Sequence, residues 1–136
     1  MILLDTNVVS ALMAQDGNVV AWLDQQPAES IWLTSITVFE AEFGLQLLPP
    51  GRRRKALESA FAALLTEDLD GRVVAFDAAA ASAAARLAAE RRRLGRPVDM
   101  RDTQIAGIAV VRRATLATRN LRHFEGLPTP VVSPWN

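Results

Sequence analysis

Short apolar runs alternate with segments of helical periodicity along the whole chain, and that alternation leaves few folds open. Ile2 to Leu4, Ile31 to Leu33, Arg72 to Phe76 and Thr115 to Thr118 read as strands, with Val131-Val132 as a short fifth. Between them lie helical segments at Val8 to Ala14, Val19 to Gln25, Ile36 to Leu48 and Arg52 to Thr66. Asp77 caps a further helix to Leu94, closed by Gly95 and Pro97, and Asp99 caps the next through Val111. Strands separated by helices pair in parallel, and a parallel sheet must be covered on both faces. The expected architecture is a three-layer α/β/α sandwich around a central, mainly parallel sheet of four to five strands, in one domain spanning residues 1–136.

With 136 residues, half of them hydrophobic, the chain can bury a substantial core. The absence of cysteine excludes disulfides and thiolate metal sites, and a single histidine cannot build a His/Cys zinc site. A metal bound here is held by oxygen. The N-terminus offers neither a signal peptide nor a membrane span, so a cytoplasmic protein that does not enter the membrane is expected. The formal net charge of zero does not by itself announce a nucleic-acid binder. The basic residues nevertheless cluster at Arg52 to Arg54 and at Arg91 to Arg93, where guanidinium forks suit phosphate oxygens. Taken alone, such clusters read as solvated helix faces.

Ligand sites in open parallel sheets lie beyond the carboxyl ends of the strands. Three acids fall in that region: Asp5 directly after the first strand, Glu40 early in the helix after the second, and Asp102 in the first turn of the helix before the fourth. At about 100° per residue, Glu40 projects within roughly 55° of the Ile36, Phe39, Phe43, Leu47 stripe, taken as the core face, while Glu42 points more than about 90° away. Asp102 lies beside the Ile105, Ile108, Ala109 stripe. Carboxylates gathered there repel one another and raise each other's proton affinity unless a cation joins them. Magnesium fits, since it takes hard oxygen ligands and keeps waters that can attack a phosphodiester.

Each acid also has a structural reading. Thr37 to Glu40 matches a capping box, Asp102 suits the positive end of a helix, and Asp5 suits a cap. Their joint placement at one end of one sheet favours the site. Trp22 and Trp32 read as core residues, whereas Trp135 suits either a dimer contact or a partner protein.

Leu3-Leu4-Asp5-Thr6-Asn7, Ser35-Ile36-Thr37-Val38-Phe39-Glu40 running on to Phe43-Gly44, Asp102-Thr103-Gln104-Ile105-Ala106 and Thr115-Leu116-Ala117-Thr118-Arg119-Asn120 together resemble the PIN-domain nucleases. More narrowly they resemble the VapC toxins of type II toxin-antitoxin modules, in the FitB-like branch. The Arg52 to Arg54 segment, Gly71-Arg72-Val73 and the Pro134-Trp135 ending are similar as well. The resemblance covers essentially the whole chain. It implies a magnesium- or manganese-dependent ribonuclease, usually a homodimer, restrained by a cognate VapB-like antitoxin. It assigns metal-ligand roles to Asp5 and Asp102 and an essential acidic role to Glu40. Asn120 joins the catalytic set, and Thr6, Asn7, Thr118 and Arg119 are candidate substrate contacts.

One departure stands out. PIN domains often carry a fourth acid after the fourth strand, at the position of Asn120 or a few residues on, where this chain has His123. Asn120 can orient a water through its amide, while a lone loop histidine reads as an ordinary surface or packing residue. Two other readings compete. Haloacid-dehalogenase phosphatases and receiver domains also place aspartate after the first strand, but this chain has Asn7 where the phosphatases want a second aspartate, and its only lysine is Lys55. A weakened scaffold acting through dimerisation and antitoxin or RNA binding is the other alternative, and intact Asp5, Glu40 and Asp102 argue against it.

Overall fold

The computed structural model describes residues 1–136. Its sheet has five strands, β1 (Ile2–Leu4), β2 (Ile31–Thr34), β3 (Val73–Val74), β4 (Thr115–Ala117) and β5 (Val131–Val132), in the order β3-β2-β1-β4-β5. Every pairing is parallel, with Leu3 opposite both Trp32 and Leu116. Six helices connect the strands: α1 (Thr6–Met13), α2 (Gly17–Asp24), α3 (Ser35–Gln46), α4 (Arg52–Ala63), α5 (Ala78–Arg93) and α6 (Met100–Arg112). A π-helical turn, Leu64–Asp68, extends α4.

The period-two alternation of strand side chains divides the core into two layers. Leu4, Leu33 and Ala117 pack on one face with Val8, Val19 and Phe61 from α1, α2 and α4. On the other face Leu3 and Leu116 meet Ile105 and Ile108 of α6, with Ala80 of α5. The expected α/β/α sandwich is therefore present.

Local chemistry fixes the ends of these elements. The Asp77 carboxylate accepts the Ala80 N–H at 2.9 Å and starts α5, while the Asp99 carboxylate accepts the Arg101 N–H at 2.9 Å and starts α6. Past the end of α5, Gly95 has φ +70°, a left-handed conformation that glycine enters without a Cβ clash. Helices α5 and α6 approach so closely that a Cβ on Gly107 would lie 2.6 Å from the Ala80 carbonyl oxygen. The alanine run of α5 is thus half of a tight helix pair.

Two sequence expectations change. Strand β3 is shorter than Arg72 to Phe76, because the Phe76 N–H bonds the Ser35 hydroxyl at 3.0 Å instead of a neighbouring strand. The apolar stripe of α3 is the larger correction. Phe39, Phe43 and Leu47 are 58%, 49% and 70% exposed, and the helix buries Thr37 and Leu45 instead. Phe39 and Phe43 stack on each other at the surface, their centroids 5.9 Å apart. The cap of α3 is Thr34, whose hydroxyl accepts the Thr37 N–H at 3.0 Å, so Glu40 has no capping role.

Candidate active site

Strand order reverses about β1: the chain steps outward through β2 and β3, then returns on the other side to β4. The crevice beyond the carboxyl ends of β1 and β4 is therefore the topological switch point, where sheets of this kind bind ligands. Asp5 leaves β1 directly into it, and Thr118 does the same from β4.

Asp5 is 3% exposed. Its Oδ1 accepts the Thr6 N–H at 2.8 Å, so it does cap α1. Its Oδ2 accepts the Thr118 hydroxyl at 2.7 Å and the Asn7 side-chain amide at 3.2 Å. All three donors are neutral. Burial raises the proton affinity of Asp5 above the ordinary aspartate range; the bonds from Thr118 and Thr6 oppose that rise, and the Asp102 charge adds to it.

Glu40 lies on α3, half-buried, and its Oε1 accepts the Thr6 hydroxyl at 2.8 Å. Its Oε2 lies 3.7 Å from a guanidinium nitrogen of Arg101. Burial again raises the proton affinity; Thr6 and Arg101 oppose it, and Asp5 and Asp102 reinforce it. Asp102, in the first turn of α6, has its Oδ2 2.8 Å from Nδ1 of His123. The inward placement of Asp102 beside buried Ile105, Ile108 and Ala109 agrees with the helical arithmetic. Glu40 is half-buried and Glu42 exposed as expected, but not for the expected reason, because the stripe used to place Glu40 inward is itself exposed at Phe39, Phe43 and Leu47.

A latch lies behind Asp5. The Arg119 N–H donates to Asn7 Oδ1 at 3.0 Å, and the Asn120 N–H donates to the Thr118 hydroxyl at 3.0 Å. The loop after β4 is thereby tied to the first turn of α1. Thr118 is fully buried with its hydroxyl directed to Asp5, so it holds the acid instead of reaching a substrate. Arg119 and Asn120 are exposed at the rim. Arg119 lies over the Trp135 ring at 4.0 Å, and the Trp135 indole N–H reaches Asp16 at 3.3 Å, so the tryptophan has partners within its own chain.

Two residues of the site escaped the sequence reading. His123 sits against Asp102, not as a free loop residue; its position where related chains carry an acid is the signal, although the sequence alone reads it there as an ordinary surface or packing residue. Arg101 beside Glu40 was legible only as the residue before Asp102.

A hard divalent ion suits this donor set. Asp5 is a buried carboxylate with no cationic partner, and burial together with the Asp102 charge raises its proton affinity, which is the imbalance an added positive charge relieves. The side chains as placed do not close three ligands around one point. Magnesium does not require that, since it binds through one or two carboxylates and retains waters.

A buried carboxylate at the β1/β4 switch point, faced by two more acids, defines an α/β protein of the PIN class. The PIN domain family model matches residues 2–128, and the chain belongs to that family. Within it the relatives include VapC and FitB proteins. VapC ribonuclease Y4jK of Sinorhizobium fredii is 37% identical, over 99% of this chain and 98% of its own. Toxin FitB of Neisseria gonorrhoeae is 33% identical over 100% and 99%. The crystal structure of FitAcB from Neisseria gonorrhoeae superposes with a TM-score of 0.91 at 33% identity, covering 100% of this chain and 99% of that one.

Proposed function

We propose that this chain is the toxin of a toxin-antitoxin module and a metal-dependent endoribonuclease, with Asp5, Glu40 and Asp102 as the residues that hold magnesium or manganese. The observation that carries the reading is Asp5, buried among neutral donors and facing two other carboxylates. When bound, the ion neutralises the carboxylates, lowers the pKa of water and offsets charge on the phosphodiester. The chain's own residues organise the rest. Thr118 and Asn7 aim Asp5, Thr6 aims Glu40, and His123 orients Asp102. Glu40, whose burial raises its proton affinity, is in its carboxylate form the base that would take a proton from water. Asn120 and Arg119 stand at the rim, where an amide and a guanidinium suit the RNA backbone. Thr6 and Asn7 serve mainly by holding the acids.

Relatives named as a VapC ribonuclease and a FitB toxin support the reading, as does a neighbour solved as DNA-bound VapBC from Salmonella typhimurium. On the same grounds we assign the chain a VapB- or FitA-like antitoxin as partner, and the resemblance to VapC toxins adds a homodimeric state. A weakened scaffold acting through its partners is the second reading, favoured by Asn120 and His123 standing where a fourth acid is expected. Cleavage of RNA by the purified protein decides between them. We expect hydrolysis in magnesium or manganese, none in excess chelator, and a loss of roughly a hundredfold or more for Asp5→Ala, Glu40→Ala and Asp102→Ala in folded protein. Full activity in all three variants would overturn the site; no activity in the unaltered chain would favour the scaffold.

A further inference from the structure

Beside the acidic crevice lies a second cleft, of about 210 Å³, between the C-terminal end of α5 and the segment after β4. Arg91, Arg96, Arg122 and His123 line it. His123 belongs to both places, since its Nδ1 bonds Asp102. The ion pairs of the chain are Arg54 with Glu58, Arg101 with Glu40 and His123 with Asp102, so the three arginines of the cleft are unpaired. Glu90 and Glu125 also reach the lining but leave the arginines in excess.

Arg91 is the informative member. Its Nη1 is buried and has no hydrogen-bond partner. A basic last turn is ordinary at a helix C-terminus, where cations complement the dipole. That explanation suits Arg92 and Arg93, which are exposed. It does not explain a guanidinium nitrogen withdrawn from water without an acceptor, which costs free energy until an anion supplies one. Burial also disfavours the charged form of Arg91, and the charges of Asp102 and Glu90 oppose that effect.

We propose that this cleft is a phosphate subsite for the RNA backbone, with Arg91 as its principal ligand and Arg96 and Arg122 at its mouth. It holds a phosphate flanking the one that is cleaved, and His123 forms the wall between the two positions. The size agrees, since about 210 Å³ corresponds to roughly seven waters at about 30 Å³ each, enough for a phosphate and a ribose edge. Arginine forks suit that ligand better than lysine would. The proposal rests on the nuclease reading above, and its test is separable from it.

The decisive measurement is the affinity of fluorescent RNA oligonucleotides for protein carrying Asp5→Asn, first checked to leave the RNA uncut. A core oligonucleotide is compared with versions extended by a nucleotide on the 5′ or the 3′ side. Arg91→Gln, which keeps most of the packing, and the exposed Arg96→Ala are each expected to weaken one extended oligonucleotide by about tenfold and the core hardly at all. The salt dependence of that oligonucleotide should flatten by about 0.7 in log-log slope, the loss of one single-strand phosphate contact. Equal weakening of all lengths, or none, overturns the subsite. Inorganic phosphate that binds through Arg91 with no length-dependent effect on RNA assigns the cleft to a free anion and also overturns it. Failure of the unaltered chain to cleave RNA bears on the nuclease reading alone, because these affinities are read in a non-cutting background.

Discussion

Asp5 concentrates the opposing forces of the site, because the fold buries its carboxylate and supplies hydrogen bonds but no cation. In chelator, its protonated form is therefore favoured in the folded state relative to the unfolded chain, where aspartate titrates near 3.8. The contribution of Asp5 to stability is complete below that unfolded value and is lost as pH rises through the raised folded value. Asp5→Asn removes the charge, so metal-free variant protein should melt above the unaltered chain at neutral pH. The gap should close as pH falls into the acid range. Asp16, whose carboxyl is held low chiefly by the Trp135 indole, acts in the opposite direction but equally in both proteins, so it cancels. Thermal melts across pH in chelator check this, and a variant that melts lower at neutral pH would show that the hydrogen bonds outweigh the burial. Asp5 and Asp102 were legible in the sequence because one follows a strand end and the other lies beside the buried stripe of α6, whereas Glu40 was placed inward from a stripe that proves exposed. His123 was not legible, because its partner Asp102 is distant in sequence and only the short turn Leu121–Phe124 brings them together.

Helix α3 shows where periodicity misleads at the scale of the element. Its aromatic residues recur at helical spacing, yet the face that packs on α1 and the sheet carries Thr37, Ala41 and Leu45, while Phe39, Phe43 and Leu47 look outward. Spacing identifies a helix with an apolar stripe but not what covers that stripe. Core phenylalanines cost about 3–5 kcal/mol when truncated. At this exposure we expect Phe39→Ser and Leu47→Ser each to lower stability by less than about 1 kcal/mol in urea unfolding of dilute protein. A loss of core size would restore the sequence reading. Helix α6 makes the opposite case. Alanine is a better helix former than glycine by about 1 kcal/mol, so an open position 107 would gain from Gly107→Ala. Its new methyl would instead lie 2.6 Å from the Ala80 carbonyl oxygen and 2.8 Å from the Ala84 methyl. Because backbone cannot yield cheaply, overpacking of about 1–3 kcal/mol exceeds the propensity gain and the variant should be less stable. The same urea titration reads the sign.

At the scale of the molecule, strand and helix alternation announced the parallel sheet, but strand order and the switch point between β1 and β4 required the structure. That order gives the proposed metal a consequence beyond catalysis. Asp5 and Asp102 enter the crevice from the starts of α1 and α6 and Glu40 from the middle of α3, which the unfolded chain does not hold together. An ion that binds only the native arrangement stabilises it by RT ln(1 + [M]/Kd), about 2.7 kcal/mol at a hundred times Kd. Manganese should therefore raise the urea midpoint in proportion to the logarithm of its concentration once above Kd. Potassium chloride at matched ionic strength should not. Asp5→Asn and Glu40→Gln should each reduce the manganese increment, whereas Gly107→Ala, which leaves the carboxylates in place, should shift the whole curve down and keep the increment. A midpoint indifferent to manganese in the unaltered chain would mean that the native acids do not share an ion, whatever activity the protein shows.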